Sequence, residues 1–270
     1  VLLVHMCGAA ANMDEIVAVC EKHNLTLVED CGQAMGAFYK GKSVGLFGKA
    51  GAFSMDFFKI TTAGEGGLCI TNSEEVYHNM EQISDHGHDH IGSNRGMEQH
   101  PVLGTNYRMG ELNGAVGLAQ MRKVADIRSA KLKNKAYLKA RLAEVEGITF
   151  RHMDDPEGDS GTFLNFFLPT QQQAEAAAKQ LAADGLGGFN YWFTNMYHFI
   201  NQWDHLKELR SPAKMAIHHL GAPQDYKNLE LPKSQEVIGR LISLGIKTTW
   251  TEAEMKTFAD AVVASIKKVL

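Results

Sequence analysis

The first thirty residues alternate between two apolar runs and one amphipathic segment. VLLVH (1–5) and LTLVED (25–30) have the dense branched aliphatic content of buried strands, and the segment between them spaces its apolar residues at helical intervals. Asn12 directly precedes that segment and is a good candidate for the N-cap of a helix. A strand, a helix and a second strand in this order predict a parallel sheet with a right-handed crossover, and therefore an α/β fold.

Asp30 is the last residue of the second predicted strand. Ligands of open α/β sheets sit beyond the carboxyl ends of the strands, and the CGQAMGA segment places Gln33 and two glycines directly after Asp30. Two roles for Asp30 fit this position. It is either a simple strand-end cap or turn former, or a carboxylate that faces a ring nitrogen and keeps that nitrogen protonated.

Residues 49–71 contain two further apolar runs, 50–55 and 68–71, which we predict to be strands, the second of them buried. The turn between them contains Lys59 and three glycines, Gly64, Gly66 and Gly67. Glycines allow close backbone approach, so this turn would present the lysine amine at a fixed reach, as Schiff-base chemistry requires. The alternative is an ordinary solvated lysine, which is the commoner situation beside a glycine-rich turn.

Composition limits the classes of protein that this chain resembles. With 44% apolar and 21% charged residues it has the composition of a globular protein, and a formal charge of −4 gives no general attraction to nucleic acid or anionic membranes. No apolar run approaches the roughly 20 residues of a membrane span. The four cysteines lack paired spacing and lie in or beside apolar segments, so we expect buried free thiols and a cytoplasmic location.

Three blocks of sequence carry a family resemblance. Three segments, EDCGQA (29–34), the FS…K…GEGG pattern within 53–67 and GTNYRMGELNGAVGLAQM (104–121), are similar to segments of the DegT/DnrJ/StrS sugar aminotransferases. These are fold-type I enzymes that use pyridoxal 5'-phosphate (PLP), in which a lysine and an aspartate hold opposite ends of the cofactor ring. The resemblance implies a mostly parallel large domain and a smaller α+β C-terminal domain. The family's phosphate loop and its ring-stacking aromatic lie upstream of the matched region, and we expect this chain to lack that N-terminal part.

The resemblance also implies a role for each matched residue. Lys59 would be the catalytic residue that binds the cofactor covalently, Asp30 would pair with the pyridine nitrogen, and Gln33 would lie against the ring. Ser54 would bind the phosphate, and Asn106 would reach the phosphate of the other subunit across a homodimer interface. Sugar dehydratases of the family carry histidine at the position of Lys59, so the lysine favours transamination.

The order of predicted elements suggests three regions. Residues 1–125 would form the PLP-binding large domain, 126–147 a linking helix and 148–270 the small domain, with strands at 148–152 and 162–168 and a helix that ends at Gly185.

Two histidine-containing segments are candidate substrate contacts. His86, His88 and His90 alternate, so on a strand they would face one way and could ligate a metal. We expect no metal, because no cysteine or carboxylate cluster accompanies them at zinc spacing, and predict instead a mobile polar loop in which His88 contacts substrate. The aromatic segment 189–203, which includes His198, would either stack on a sugar or form the core of the small domain.

Three segments suggest a particular substrate. The DHGH loop, YWFTNMYHFINQWDH and ISLGIKTTWTE resemble the group of the family that forms 8-amino-3,8-dideoxy-manno-octulosonate. The implied reaction moves the amino group of L-glutamate to the C8 carbonyl of a 3-deoxy-octulosonate, for lipopolysaccharide sugar biosynthesis. One alternative is an aminotransferase for a nucleotide-linked 3- or 4-keto sugar, and another is a non-catalytic sensor with a PLP fold.

Overall fold

The computed structural model describes residues 1–219 and 224–270. They form two compact units, one made of Val1–Lys133 with His152–Thr162 and the other of Asn134–Arg151 with Phe163–Leu270. This division differs from the predicted one, because residues 152–162 belong to the first unit and the predicted linking helix is shared between the two units.

The first unit contains a four-stranded sheet in the order β1-β2-β5-β6. β1 and β2 are parallel, as are β2 and β5, whereas β6 is antiparallel to β5, so the predicted parallel pairing and the mixed α/β fold are confirmed. The elements of this unit are β1 (Leu2–Val4), α1 (Met13–Lys22), β2 (Val28–Asp30), β3 (Phe38–Tyr39), β4 (Lys42–Ser43), β5 (Ala50–Ser54), β6 (Gly67–Ile70), α2 (Glu74–Ser84), α3 (Glu111–Met121) and the start of α4 (Val124–Leu142).

Local sequence signals place α1 correctly and β2 only in part. Asn12 caps α1, since its Oδ1 accepts a hydrogen bond from the Glu15 amide. The predicted strand 25–30 is shorter than expected, because Leu25 donates its amide to Cys20 O at the end of α1 and Asn24 has a positive φ of 49°. Only the last three residues of that run remain to pair with β1 and β5.

The burial predicted for β6 is wrong. β6 lies at the edge of the sheet, and Gly67, Leu68 and Cys69 are exposed. The expectation of four buried thiols therefore fails for Cys69, whereas Cys7, Cys20 and Cys31 are buried and all four cysteines are free.

The second unit contains a second four-stranded sheet, in the order β7-β8-β10-β9 and antiparallel throughout. Its core joins the inner face of this sheet to apolar residues of α5 and α8, with Phe166, Leu164, Ile242 and Ile266 almost completely buried. The elements are the end of α4, β7 (Thr149–Phe150), β8 (Phe163–Phe167), α5 (Gln171–Ala183), β9 (Phe189–Asn190), α6 (Asp204–Lys207), α7 (Pro232–Arg240), β10 (Leu241–Gly245) and α8 (Glu252–Lys267). Within residues 1–219 and 224–270, every helix is too short or too polar to cross a membrane.

Candidate active site

Asp30 and Ser54 end two neighbouring parallel strands. In the register of β2 and β5, Asp30 lies opposite Ala52, and Ser54 follows two residues later. The end of β2 is fixed on both sides, because the His5 amide donates to Asp30 O at 3.0 Å and the Cys31 amide donates to Ala52 O at 2.8 Å. Both residues therefore lie at the carboxyl end of the sheet, where ligands of open α/β sheets bind.

Gly32 keeps open the space between Asp30 and Ser54. A Cβ at position 32 would lie 3.0 Å from Asp30 Oδ1 and 3.8 Å from Ser54 Cβ. The Gly32 amide also donates to Asp30 Oδ1 at 2.9 Å, which orients the carboxylate. An anionic carboxylate and a hydroxyl on either side of Gly32 suit a cofactor that carries a protonated ring nitrogen and an anionic substituent, so the residues present fit PLP.

Gln33 joins the loops that follow β1 and β2. Its Oε1 accepts the Cys7 amide at 2.9 Å, and Cys7 has a left-handed backbone with φ of 61°. The side chain is partly exposed. The structure thus gives Gln33 a role in holding the loop after β1, which the sequence did not indicate.

Lys59 lies in the turn between β5 and β6, as predicted, and its side chain is 23% exposed. Hydrogen bonds from the Ala63 amide to Met55 O at 2.8 Å and from the Met55 amide to Gly66 O at 2.9 Å close this turn at its base. Because the backbone of this turn is closed, the lysine amine has a limited reach, as expected from the sequence.

Asp56 is a residue of this site that the sequence gave no reason to select. Its Oδ2 lies 3.5 Å from the Lys59 Nζ, and its backbone carbonyl accepts the Lys59 amide at 3.1 Å. Its own amide lies within 3.4 Å of Ser54 Oγ, a long hydrogen bond. Asp56 therefore connects the lysine amine to the predicted phosphate ligand Ser54.

Behind Asp30, the neighbouring Glu29 points to the opposite face of β2 and is fully buried. It accepts hydrogen bonds at 2.7 Å from the amides of Gly45, Phe47 and Gly48, and one at 3.0 Å from His5 Nε2. Burial alone would raise its pKa, but these four donors outweigh burial and hold the pKa of Glu29 below its ordinary value.

Cys31, on the other side of Asp30 in sequence, is shielded from solvent as well. Burial, reinforced by the nearby charges of Glu29 and Asp30, raises the pKa of Cys31 to about 12. A thiol with such a pKa stays protonated and is a poor nucleophile at neutral pH.

Asn106 is exposed and pairs with the segment that follows α2. It forms an isolated antiparallel bridge with Asp85, and its Oδ1 accepts the Arg108 amide at 3.2 Å. The residues that follow it contact the lysine turn, since Asn113 Nδ2 donates to Ala63 O at 2.7 Å and a Cβ at Gly66 would meet the Met109 side chain. The NYRMGELN segment is thereby anchored to the turn that carries Lys59.

The histidine segment is not a strand, so His86, His88 and His90 do not share one strand face as the metal alternative would require. His86 and His90 have positive φ values of 59° and 54°, which break any extended run. His88 is 13% exposed, and its Nδ1 lies 3.0 Å from Glu98 Oε2 without the alignment of a hydrogen bond. That His88 contacts substrate stays a prediction.

Carboxylates do accompany these histidines, contrary to the reasoning from sequence spacing. Asp85, His86 and His88 each bring a possible metal-ligand atom within 4.8 Å of the others. However, the Asp85 carboxylate is occupied by two guanidinium groups, those of Arg95 and Arg108, which would repel a cation. His5, Glu29 and Cys31 form a second such group, but the hydrogen bonds described above already occupy Glu29.

The aromatic segment lies in the second unit and contributes in part to its core. Trp192 and Phe199 are buried, and Trp192 Nε1 donates to Ser243 Oγ at 2.6 Å, which in turn donates to Asn165 Oδ1 at 2.5 Å. Tyr197 is exposed, and His198 packs edge-on against both Trp192 and Tyr197. The core interpretation therefore holds for Trp192 and Phe199, whereas stacking on a sugar and the substrate role of His198 stay predictions.

Comparison with known proteins finds a matching family and several curated relatives. The model of the DegT/DnrJ/EryC1/StrS aminotransferase family matches residues 1–263. L-glutamine:2-deoxy-scyllo-inosose aminotransferase of Streptomyces paromomycinus is 34% identical over 258 residues, which cover 90% of this chain and 59% of the relative. GDP-perosamine synthase of Caulobacter vibrioides is 35% identical over 145 residues, 54% of this chain and 38% of the relative. The chain thus spans less than two thirds of the length of these curated relatives.

Solved structures share the fold over nearly the whole chain. An aminotransferase from Psychrobacter cryohalolentis superposes with a TM-score of 0.81 at 24% identity, covering 99% of this chain and 68% of that one. A Streptococcus pneumoniae protein solved in its PLP form superposes with a TM-score of 0.75 at 18% identity, covering 100% of this chain and 68% of that one.

Proposed function

Because this chain belongs to the DegT/DnrJ/EryC1/StrS aminotransferase family, we propose that it forms the catalytic part of a PLP-dependent sugar aminotransferase. The observation that carries the proposal is the placement of Asp30 and Ser54 at the ends of adjacent parallel strands, on either side of Gly32. Asp56 joins them to the lysine, because its carboxylate lies 3.5 Å from the Lys59 amine and its amide lies 3.4 Å from Ser54 Oγ. When bound, PLP would supply an electron sink that stabilises negative charge on a substrate carbon.

Each residue of the site has a role that follows from its chemistry. The Lys59 amine would anchor the cofactor and then move the proton to and from the substrate carbon. The Asp30 carboxylate would keep the ring nitrogen charged. Ser54 Oγ, Gln33 and, from the second subunit of a homodimer, Asn106 would orient the phosphate and the ring.

For the substrates we propose L-glutamate as amino donor and the C8 carbonyl of a 3-deoxy-octulosonate as acceptor, in a cytoplasmic step of lipopolysaccharide sugar synthesis. The support is the resemblance of the DHGH loop, YWFTNMYHFINQWDH and ISLGIKTTWTE to that group. His88 and His198 are the proposed substrate contacts. The alternative acceptor is a nucleotide-linked keto sugar, which the similarity to a GDP-perosamine synthase supports.

Absorption spectroscopy on the purified protein tests the cofactor. Added PLP should give a visible band that is lost in Lys59→Ala, and borohydride reduction followed by peptide mass mapping should place the cofactor on Lys59. Lys49→Ala is the control. It replaces an exposed lysine that directly precedes β5, and it should leave the band unchanged. A band that is equally strong in Lys59→Ala would contradict the assignment.

A second experiment separates the substrates. The protein loaded with pyridoxamine phosphate is mixed with a 3-deoxy-octulosonate C8 aldehyde or with nucleotide-linked 3- and 4-keto sugars, and mass spectrometry identifies the aminated product. L-glutamate and L-glutamine are compared as amino donors in the other half-reaction, which converts the PLP form of the protein to the pyridoxamine phosphate form. Formation of PLP with only a nucleotide-linked acceptor would replace the octulosonate proposal, and a PLP band that responds to no amino donor would indicate the non-catalytic sensor.

A further inference from the structure

The Asp85 carboxylate is the centre of a cluster of charged side chains in the segment between α2 and α3. Its side chain is 7% exposed, and Arg95 binds it with both terminal nitrogens, at 2.9 Å to Oδ2 and 2.7 Å to Oδ1. Arg108 donates to the same Oδ1. Two distant positions of the segment are thus joined through one buried carboxylate, in the geometry that favours guanidinium groups over ammonium groups.

The backbone on either side of Asp85 is paired with the backbone on either side of Asn106. The Thr105 amide donates to Ile83 O at 2.8 Å, and the Tyr107 amide donates to Ser84 O at 2.8 Å. The His86 amide donates to Thr105 O at 2.9 Å. Asn106 therefore sits at the centre of a short antiparallel ladder whose opposite member is Asp85.

Glycines allow the two segments to approach this closely. A Cβ at Gly104 would lie 2.1 Å from the Gly87 nitrogen, and a Cβ at Gly87 would lie 2.0 Å from Val102 O. Gly87 also has a φ of 88°, which other residues rarely adopt. Two glycines facing each other indicate that the separation of the segments is fixed by backbone contact.

The side chain of Asn106 has a defined orientation within this ladder. Its Oδ1 accepts the Arg108 amide at 3.2 Å, so its carbonyl end is turned toward its own chain, and the residue is exposed. The amide nitrogen at the other end offers two donors, which suit a group that only accepts hydrogen bonds, such as a phosphate. The same residue, Arg108, thus fixes Asn106 by its backbone and binds Asp85 by its side chain.

We propose that Asp85 is a positioning residue for Asn106, holding Arg95 and Arg108 so that the Asn106 amide is presented to the cofactor phosphate of a neighbouring subunit. This inference rests on the proposed function, since it concerns the same cofactor. The histidine segment then has a structural purpose: it brings Asp85 and Arg95 to the base of the Asn106 turn. His86 Nδ1 and His90 Nε2 also face the carboxylate, at 3.3 Å and 3.5 Å.

PLP titration of the purified full chain, followed by absorbance, tests this with the variants Asp85→Asn and Asn106→Ala and their combination. Asp85→Asn should weaken PLP affinity about tenfold, which is a loss of about 1.4 kcal/mol of binding free energy. Asn106→Ala should weaken it at least as much, and the double variant should bind no more weakly than Asn106→Ala alone. Asp89→Asn is the control, because it changes a carboxylate of the same segment that accepts a hydrogen bond from the Ile91 amide at 3.2 Å, and it should bind PLP as the wild type does.

A purely structural role for Asp85 predicts a different result. In that case Asp85→Asn would lower the melting temperature of the cofactor-free protein. The losses of PLP affinity in Asp85→Asn and Asn106→Ala would then add up in the double variant. Additive losses, wild-type affinity in Asp85→Asn, or wild-type affinity in Asn106→Ala would each overturn the proposal. If Asp85→Asn does not fold, Arg95→Gln takes its place in the same cycle with the same expected non-additivity. The outcomes above overturn the role of Asp85 alone and leave the proposed function intact. A wild-type protein that shows no PLP band would overturn the proposed function as well, so the two failures can be told apart.

Discussion

His5 Nε2 and Glu29 Oε2 lie 3.0 Å apart, and both side chains are completely buried. His5 Nδ1 accepts the Ala11 amide at 3.3 Å, so the proton of the neutral imidazole is on Nε2, where it is donated to Glu29. The pair joins the end of β1 to the end of β2, one residue before Asp30. With the three amides of residues 45–48, it makes a rigid support on the face of β2 opposite the Asp30 side chain.

Removing the Glu29 carboxylate should destabilise the fold strongly. Glu29→Ala leaves four buried donors without an acceptor, and because each unsatisfied buried donor costs about 1–3 kcal/mol, we expect a loss of about 3 kcal/mol or more. Urea denaturation followed by circular dichroism measures the free energy of unfolding. Glu21→Gln, on the exposed side of α1, is the control and should change that free energy by less than about 0.5 kcal/mol. An equally small change in Glu29→Ala would show that the hydrogen bonds to Glu29 are not required.

The contribution of Glu29 should depend on pH. Its pKa in the folded protein is held below the ordinary value of 4.5, which approximates the unfolded chain. The contribution is therefore complete above that value and is lost as the pH falls through the folded pKa. We expect the difference in unfolding free energy between the wild type and Glu29→Gln to be constant near neutral pH and to shrink below about pH 4.5. Urea denaturation of both proteins across this range measures it, and a difference that widens in acid would contradict the assignment.

Adding a methyl group at Gly32 should weaken cofactor binding more than it weakens the fold. The new Cβ would enter the gap between Asp30 and Ser54, 3.0 Å from Asp30 Oδ1. We expect Gly32→Ala to lower PLP affinity about tenfold while costing no more than about 1.5 kcal/mol of stability. Absorbance titration and urea denaturation measure the two quantities. Gly187→Ala is the matched control, because a Cβ there meets no atom within 4 Å. Wild-type affinity in Gly32→Ala would remove the proposed ring position.

Hybrid dimers test the placement of Asn106 across a subunit interface. Lys59→Ala and Asn106→Ala should each have little activity alone. A mixed dimer has one site that combines the intact Lys59 of one subunit with the intact Asn106 of the other, so an equal mixture should recover roughly a quarter of the wild-type activity per site. The mixture is made by unfolding and refolding the two variants together, with each variant refolded alone as the control. Activity equal to the sum of the separate variants would place Asn106 outside the neighbouring site.

Local sequence predicted the elements that local interactions form. The branched aliphatic runs became β1 and the end of β2, Asn12 capped α1 through its own side chain, and 50–55 became β5 with Lys59 in the following turn. These outcomes depend on residues close together in sequence. The parallel pairing of β1 with β2 follows from the helix that connects the two strands. The family resemblance added the predicted roles of Asp30, Ser54 and Lys59 in cofactor binding, which their positions in the sequence alone left open.

Tertiary contacts decided the rest, because they join residues whose separation carries no periodic signal. Glu29 was visible in sequence only as the residue before Asp30, whereas its burial depends on amides sixteen to nineteen positions later. Asp85 and Arg108 are 23 residues apart, and only the folded segment brings their charges together. The sequence predicted a polar loop for the alternating histidines but not its conformation, in which His86 and His90 have left-handed backbone and residues 83–86 form backbone hydrogen bonds with residues 105–107.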